Sequence, residues 1–119
     1  LSVITWGAMV ELCEQAARAL GADVEIIDLR TLLPWDSDTV LASVRKTSKA
    51  LIVHEDGEVG GFGAEIAATI VDQAFMDLDA PVRRVASPSV PVPYSQHLMA
   101  GVVPGPARIR AAMAELLAY

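Results

Sequence analysis

Few side chains in this 119-residue chain are of a type and spacing that do chemistry. His54 and Glu55 close an apolar run, and a histidine that titrates near neutrality can exchange protons from such a position. Just downstream, Gly60-Gly61-Phe62-Gly63 opens a helical pattern. A strand that ends in polar groups and restarts as a glycine-led helix makes the mouth where open α/β sheets gather ligands, because backbone N–H groups and the helix dipole converge there. His54, Glu55, Gly60 and Gly61 are therefore the candidate strand-end site.

The inventory around that mouth is thin. No nucleophile accompanies His54, and the only other histidine, His97, falls in a proline-rich stretch where exposure is the default. There is no His-x-x-x-His, no cysteine pair and no carboxylate cluster at metal-ligand spacing, so no metal site is assigned. The glycine run lacks the Lys-Ser/Thr ending of a phosphate loop and the spacing of Gly-x-Gly-x-x-Gly. The structural reading is favoured: Gly60 and Gly61 supply positive φ angles, Gly63 lets a helix approach the sheet, His54 bonds a loop carbonyl and Glu55 caps the next turn. No catalytic or cofactor-binding residue is assigned.

Composition narrows the partners. A net charge of −6 with only nine Lys and Arg, scattered apart from Arg45-Lys46 and Arg83-Arg84, excludes a phosphate-neutralising nucleic-acid face. No apolar run approaches the roughly 20 residues that cross a bilayer. Cys13 is the single cysteine, so no intramolecular disulfide forms, and a reducing, cytoplasmic setting is expected. Hydrophobic residues make up 53% of the chain, which points to a face covered by another subunit.

The elements that must position the mouth are legible from periodicity. Ser2 to Trp6 reads as a strand, Ala8 to Leu20 as an amphipathic helix capped by Gly21, and Asp23 to Leu29 as a second strand. A helix beginning at Asp36 or Ser37 ends in Arg45-Lys46, and Ala50 to Val53 is an apolar third strand of the kind covered on both faces. Gly63 to Leu78 reads as one helix whose stripe, widened by Val71 and Phe75, is broader than one sheet face needs. Val82 to Val85 is a fourth strand, and a last helix starts at Pro106. Four β-then-α repeats predict one three-layer α/β/α domain over residues 1–119, with a parallel open sheet in the order 2-1-3-4. Between Ala86 and Pro104 lies an aperiodic, proline-rich connection, a docking-arm candidate. Trp6 and Trp35, the second following Pro34 in a loop, are interface anchor candidates.

Several ordered motifs carry a resemblance that spans nearly the whole chain. Val24-Glu25-Ile26-Ile27-Asp28-Leu29-Arg30-Thr31-Leu32-Leu33-Pro34-Trp35-Asp36, Val53-His54-Glu55 and Gly61-Phe62-Gly63-Ala64-Glu65-Ile66 come first. Leu78-Asp79-Ala80-Pro81-Val82-Arg83-Arg84-Val85 and Pro91-Val92-Pro93-Tyr94 follow. Together they resemble the C-terminal, transketolase-C-terminal-like domain of the beta subunit of 2-oxo acid dehydrogenases, the pyruvate and branched-chain enzymes. The Pro-Trp-Asp form leans toward the branched-chain (2-oxoisovalerate) type.

The resemblance implies a parent enzyme of two alpha and two beta subunits that uses thiamine diphosphate and Mg²⁺. It decarboxylates a 2-oxo acid oxidatively and passes the acyl group to a lipoyl arm. The cofactors lie between the alpha subunit and the N-terminal, pyrimidine-binding domain of beta, and neither region is in this chain, which opens on a strand without Met; the fragment alone is expected to be inactive. To this domain the resemblance assigns the contact with a second beta subunit and a docking surface for the subunit-binding domain of the dihydrolipoyl acyltransferase. Asp79 matches the docking acid and, where the subunit ends at Tyr119, that residue matches the terminal carboxylate, with Trp35, Phe62 and Tyr94 as interface residues. The location implied is the cytoplasm of a bacterium or the mitochondrial matrix of a eukaryote. The chain departs from the commoner pattern at Asp56-Gly57-Glu58-Val59 and at Ser87-Pro88-Ser89-Val90. Competing readings are an autonomous anion-binding module built on the His54 mouth, and the equivalent domain of transketolase or deoxyxylulose-phosphate synthase.

Overall fold

Alternation of apolar residues along two central strands organises the molecule. A computed structural model describes all residues, Leu1–Tyr119, as β1 (Ser2–Thr5), α1 (Met9–Leu20), β2 (Glu25–Asp28), α2 (Ser37–Thr47) and β3 (Ala50–Gly57), followed by α3 (Gly63–Ala74), β4 (Arg83–Ser87), α4 (Gln96–Met99) and α5 (Pro106–Leu117). The four strands form one sheet in the order β2-β1-β3-β4, every pair parallel, as the β-then-α repeats predict. Val3, Leu51 and Val53 point to one face, where α1 and α5 cover them through Met9, Cys13, Ile109, Met113 and Leu116. Ile4, Ala50 and Ile52 point to the other, under Val40, Leu41 and Val44 of α2 and Ile66, Ile70 and Ala74 of α3. A sheet covered on both faces explains why β3 starts as an uninterrupted apolar run.

Local chemistry sets the helix ends. Gly21 adopts φ +64° and closes α1, while Pro106 sits in the first turn of α5, where its missing N–H costs nothing. The Asp36 carboxylate accepts from the Thr39 N–H at 3.0 Å and caps α2, and the Thr39 hydroxyl and that N–H hold its pKa below the ordinary range. Between β1, β2 and α2, Ser2 Oγ lies 2.6 Å from Ser43 Oγ, which donates to Glu25 at 2.6 Å, so the polar groups at the amino end of the sheet satisfy one another. Burial pushes the Cys13 thiol up to about 11, the behaviour of a core side chain.

Three boundaries differ from expectation. β3 runs on to Gly57 rather than stopping at Val53, because β4 keeps pairing as far as Ser87 across an irregularity between Val53 and Gly57. The helix expected to reach Leu78 ends at Ala74 and tightens into a 3₁₀ turn over Phe75–Asp77. Two tethers draw the chain away there: the Asp79 N–H donates to the Ser48 carbonyl at 2.9 Å, and Arg45 donates to the Gln73 carbonyl at 3.1 Å. The connection expected to be aperiodic from Ala86 to Pro104 starts later, after Ser87, and contains the single helical turn α4. The peptide bond Leu33-Pro34 is cis.

Met113 is fully buried where α5 meets the sheet. Met113→Ala is expected to lower unfolding free energy by about 2–5 kcal/mol, read as a lower urea midpoint at unchanged m-value.

Candidate functional site

Sheet topology fixes where a ligand would belong. α1 leaves β1 toward β2 and α3 leaves β3 toward β4, so the chain diverges between the carboxyl ends of β1 and β3, the switch point at which open α/β sheets bind ligands. His54 and Trp6 stand at that crevice. His54 continues the row Ala50, Ile52 on the α3-facing side, and its ring stacks on Trp6 with centroids 5.2 Å apart and planes 6° from parallel. Phe62 packs edge-on against Trp6 at 6.2 Å and against Trp35 at 6.4 Å, so three aromatics and one imidazole form a continuous row.

The glycines complete this plug. A Cβ on Gly63 would overlap Nε2 and Cδ2 of His54, and one on Gly61 would overlap the Gly57 carbonyl and come within 2.8 Å of His54 Cε1. Gly63 thus admits α3 close to the sheet, as expected, with His54 as the neighbour that demands it. Positive φ is found at Gly60, +79°, but not at Gly61, whose requirement is space.

His54 itself departs from both expectations. It is fully buried, and neither ring nitrogen finds a hydrogen-bond partner in the protein, so the anticipated bond to a loop carbonyl is not made. Burial holds its pKa below the ordinary histidine value; Arg84 adds to the shift and Asp56 opposes it. The Glu55 side chain is exposed, and α3 has no side-chain cap, so Glu55 does not cap that turn. The Glu55 carbonyl instead accepts from the Ser87 hydroxyl at 2.7 Å.

Chemistry at the mouth is accordingly limited. The Ala64 and Glu65 N–H groups donate to Gly61 and Phe62 carbonyls, which consumes donors an anion would use, and Glu65 adds a negative charge to the lining of the cleft there. No group of three or more His, Cys, Asp or Glu comes together to hold a metal ion. With the crevice filled by Trp6 and His54 and no carboxylate cluster at it, the residues present do not fit thiamine diphosphate with Mg²⁺.

A second feature lies on the outer side of α3. Val71, Phe75, Met76, Leu78, Pro81 and Val82 line an open groove of about 850 Å³, with Asp79 at its rim. Met76 is 91% exposed and Phe75 65%, a costly display for side chains of that size. The widened stripe of α3 foreshadowed this groove; the 3₁₀ turn that aims Phe75 and Met76 outward left no mark in the sequence. Asp79 is exposed and joins no ion pair. Trp35 and Phe62 are half-buried against their own chain, while Tyr94 and Tyr119 are exposed.

Comparison with known proteins places the domain. Residues 1–109 match the model of the transketolase C-terminal domain. The chain belongs to that family. It is 42% identical over 117 residues, 98% of its length, to the 2-oxoisovalerate dehydrogenase subunit beta of Pseudomonas aeruginosa, of which it covers 33%. It is 46% identical over 99 residues, 81% of its length, to the pyruvate dehydrogenase E1 component subunit beta of Bacillus subtilis, covering 30% of that protein. The transketolase C-terminal fold is shared with a solved chain described as a split-gene transketolase, inactive beta4 tetramer, at TM-score 0.81 and 22% identity, over 98% of this chain and 38% of the other. The domain spans about a third of the length of the curated relatives it matches.

Gly63→Ala is expected to cost about 1–3 kcal/mol of stability through overlap with the imidazole. The cost should shrink in a His54→Ala background, which a double-mutant cycle by urea unfolding measures. Equal costs in both backgrounds would show that Gly63 answers to some other neighbour.

Proposed function

We propose that this domain is the assembly and docking part of the beta subunit of a thiamine-diphosphate-dependent 2-oxo acid dehydrogenase acting on 2-oxoisovalerate or pyruvate. Chemistry then belongs to other parts of the enzyme: the alpha subunit and the pyrimidine-binding region of beta, which hold the coenzyme and Mg²⁺. The work of this domain is to join a second beta subunit and to receive the basic subunit-binding domain of the acyltransferase. The location would be the bacterial cytoplasm or the mitochondrial matrix, and no helix is long and apolar enough to cross a membrane.

The observation that carries this reading is the acid-rimmed apolar groove of Phe75, Met76 and Asp79. Exposed apolar side chains gain from being covered, and the Asp79 carboxylate gives a basic partner its orientation and speeds its approach more than it adds affinity. The relatives named beta subunits of 2-oxo acid dehydrogenases support the same assignment. Trp35, Phe62, Tyr94 and Tyr119 are proposed to extend the contacts with neighbouring subunits. The anion-module reading has no comparable support, because the crevice it needs is filled by His54 and Trp6.

Titration calorimetry with the acyltransferase's subunit-binding domain tests the proposal. Asp79→Lys and Met76→Glu should each weaken binding by at least about tenfold, the Asp79 effect fading as salt is raised. Binding indifferent to both substitutions would remove the groove as the docking surface. Thiamine diphosphate titrated into the chain alone should give no heat of binding.

A further inference from the structure

We propose that His54 is an acid-sensitive latch: as the neutral ring it seats the strip Gly61-Phe62-Gly63 against the sheet, and on protonation it releases that strip and the aromatic row above it. The inference stands apart from the docking assignment, because it rests on the crevice rather than on the groove.

The geometry leaves a proton nowhere to be stabilised. His54 is 0% exposed, with Trp6 flat against one face and its Nε2 and Cε1 edge closed by the α-carbons of Gly63 and Gly61. Neither nitrogen has a protein acceptor. A charged imidazolium needs two acceptors or water, and burying it without them is far costlier than burying the neutral ring. The charges around it do not repair this. From β3, Asp56 favours the proton, whereas from β4 the Arg84 side chain, held by the Glu58 carbonyl at 2.7 Å, opposes it. Glu55 on β3 and Glu65 on α3 are exposed, and β1 contributes no charged side chain. The indole face offers a cation–π contact, yet loss of hydration remains the largest influence on the ring.

The sign follows. A histidine whose native pKa lies below its unfolded value contributes stability that is complete above the ordinary histidine range near ~6.5 and drains away as pH falls toward the native value. The part that yields is the rim: the strip Gly60-Gly61-Phe62-Gly63 rests on the ring and is tied only to the first turn of α3 through the Gly61 and Phe62 carbonyls, while Ile4 and Ile52 beneath it remain locked in the sheet. Phe62 links the latch to the surface, because it is the ring between Trp6 and Trp35, and the shallow cleft of about 520 Å³ beside it is lined by Leu33, Trp35 and Glu65. Acid would therefore reshape an exposed aromatic cleft through a buried proton site.

The test is an NMR titration of the full 119-residue chain from pH 8 to 5, with the His54 ring signals identified against those of a His97→Gln variant. His54 is expected to take up its proton below the ordinary histidine range. Over the same interval, amide exchange at Gly61, Phe62, Gly63 and Ala64, corrected for intrinsic rates, should rise about tenfold while Ile109 and Met113 in α5 stay protected. A His54→Gln variant that folds should lose the acid-dependent exchange; should it fail to fold, the wild-type titration decides alone. The latch is overturned if His54 protonates in the ordinary range, if the strip keeps its protection once the ring is charged, or if the ring stays neutral until the whole chain unfolds.

Discussion

An imidazole laid flat on an indole, between the carboxyl ends of β1 and β3, is the contact on which the rest of this domain depends. Doubly wound sheets open a crevice at that point because successive helices depart in opposite directions, and in most architectures of this kind the opening receives a ligand. Here it is filled from within. Trp6 and His54 occupy the space, Phe62 closes it edge-on, and Gly61 and Gly63 bring the backbone of the α3 entrance down onto the ring. The same plug brings the start of α3 close to β3 and ties Trp35 to the core, so its geometry reaches the surface.

With the crevice filled, what distinguishes the domain is its outside. α3 buries Ile66, Ile70 and Ala74 on the sheet, and its wider stripe continues past the core edge into Val71, Phe75 and Met76. Covering such a surface releases ordered water and is favourable in proportion to the apolar area removed, whereas leaving it bare invites nonspecific association. Asp79 sets the one carboxylate among the otherwise apolar residues of the groove.

Much of this was readable from residue order, with instructive gaps. The α1 stripe of Met9, Cys13 and Ala16, the Gly21 cap, the Asp36 cap of α2 and Pro106 at the head of α5 are local signals that packing had no reason to override. Strand ends were less legible: β3 continues through polar residues to Gly57 because β4 supplies hydrogen-bond partners, and pairing of that kind is a property of two segments at once. The short α3 escaped notice for the same reason, since the Ser48 carbonyl that tethers Asp79 lies 31 residues earlier (79 − 48). At the mouth, the glycines were correctly singled out, yet the reason for Gly61 was not visible, because what it must accommodate is a histidine ring from another element.

The amino-acid order by itself determined the alternation of strands and helices, the parallel sheet in the order 2-1-3-4 and the family, because these rest on periodicity, caps and motifs within short stretches of chain. Only the tertiary structure decided that His54 is sealed without a hydrogen-bond partner, that Trp6 is its platform, and that Phe75 and Met76 turn outward beside Asp79. Each of those facts depends on side chains brought together from distant elements, and burial and desolvation do not exist for a residue until its neighbours have arrived.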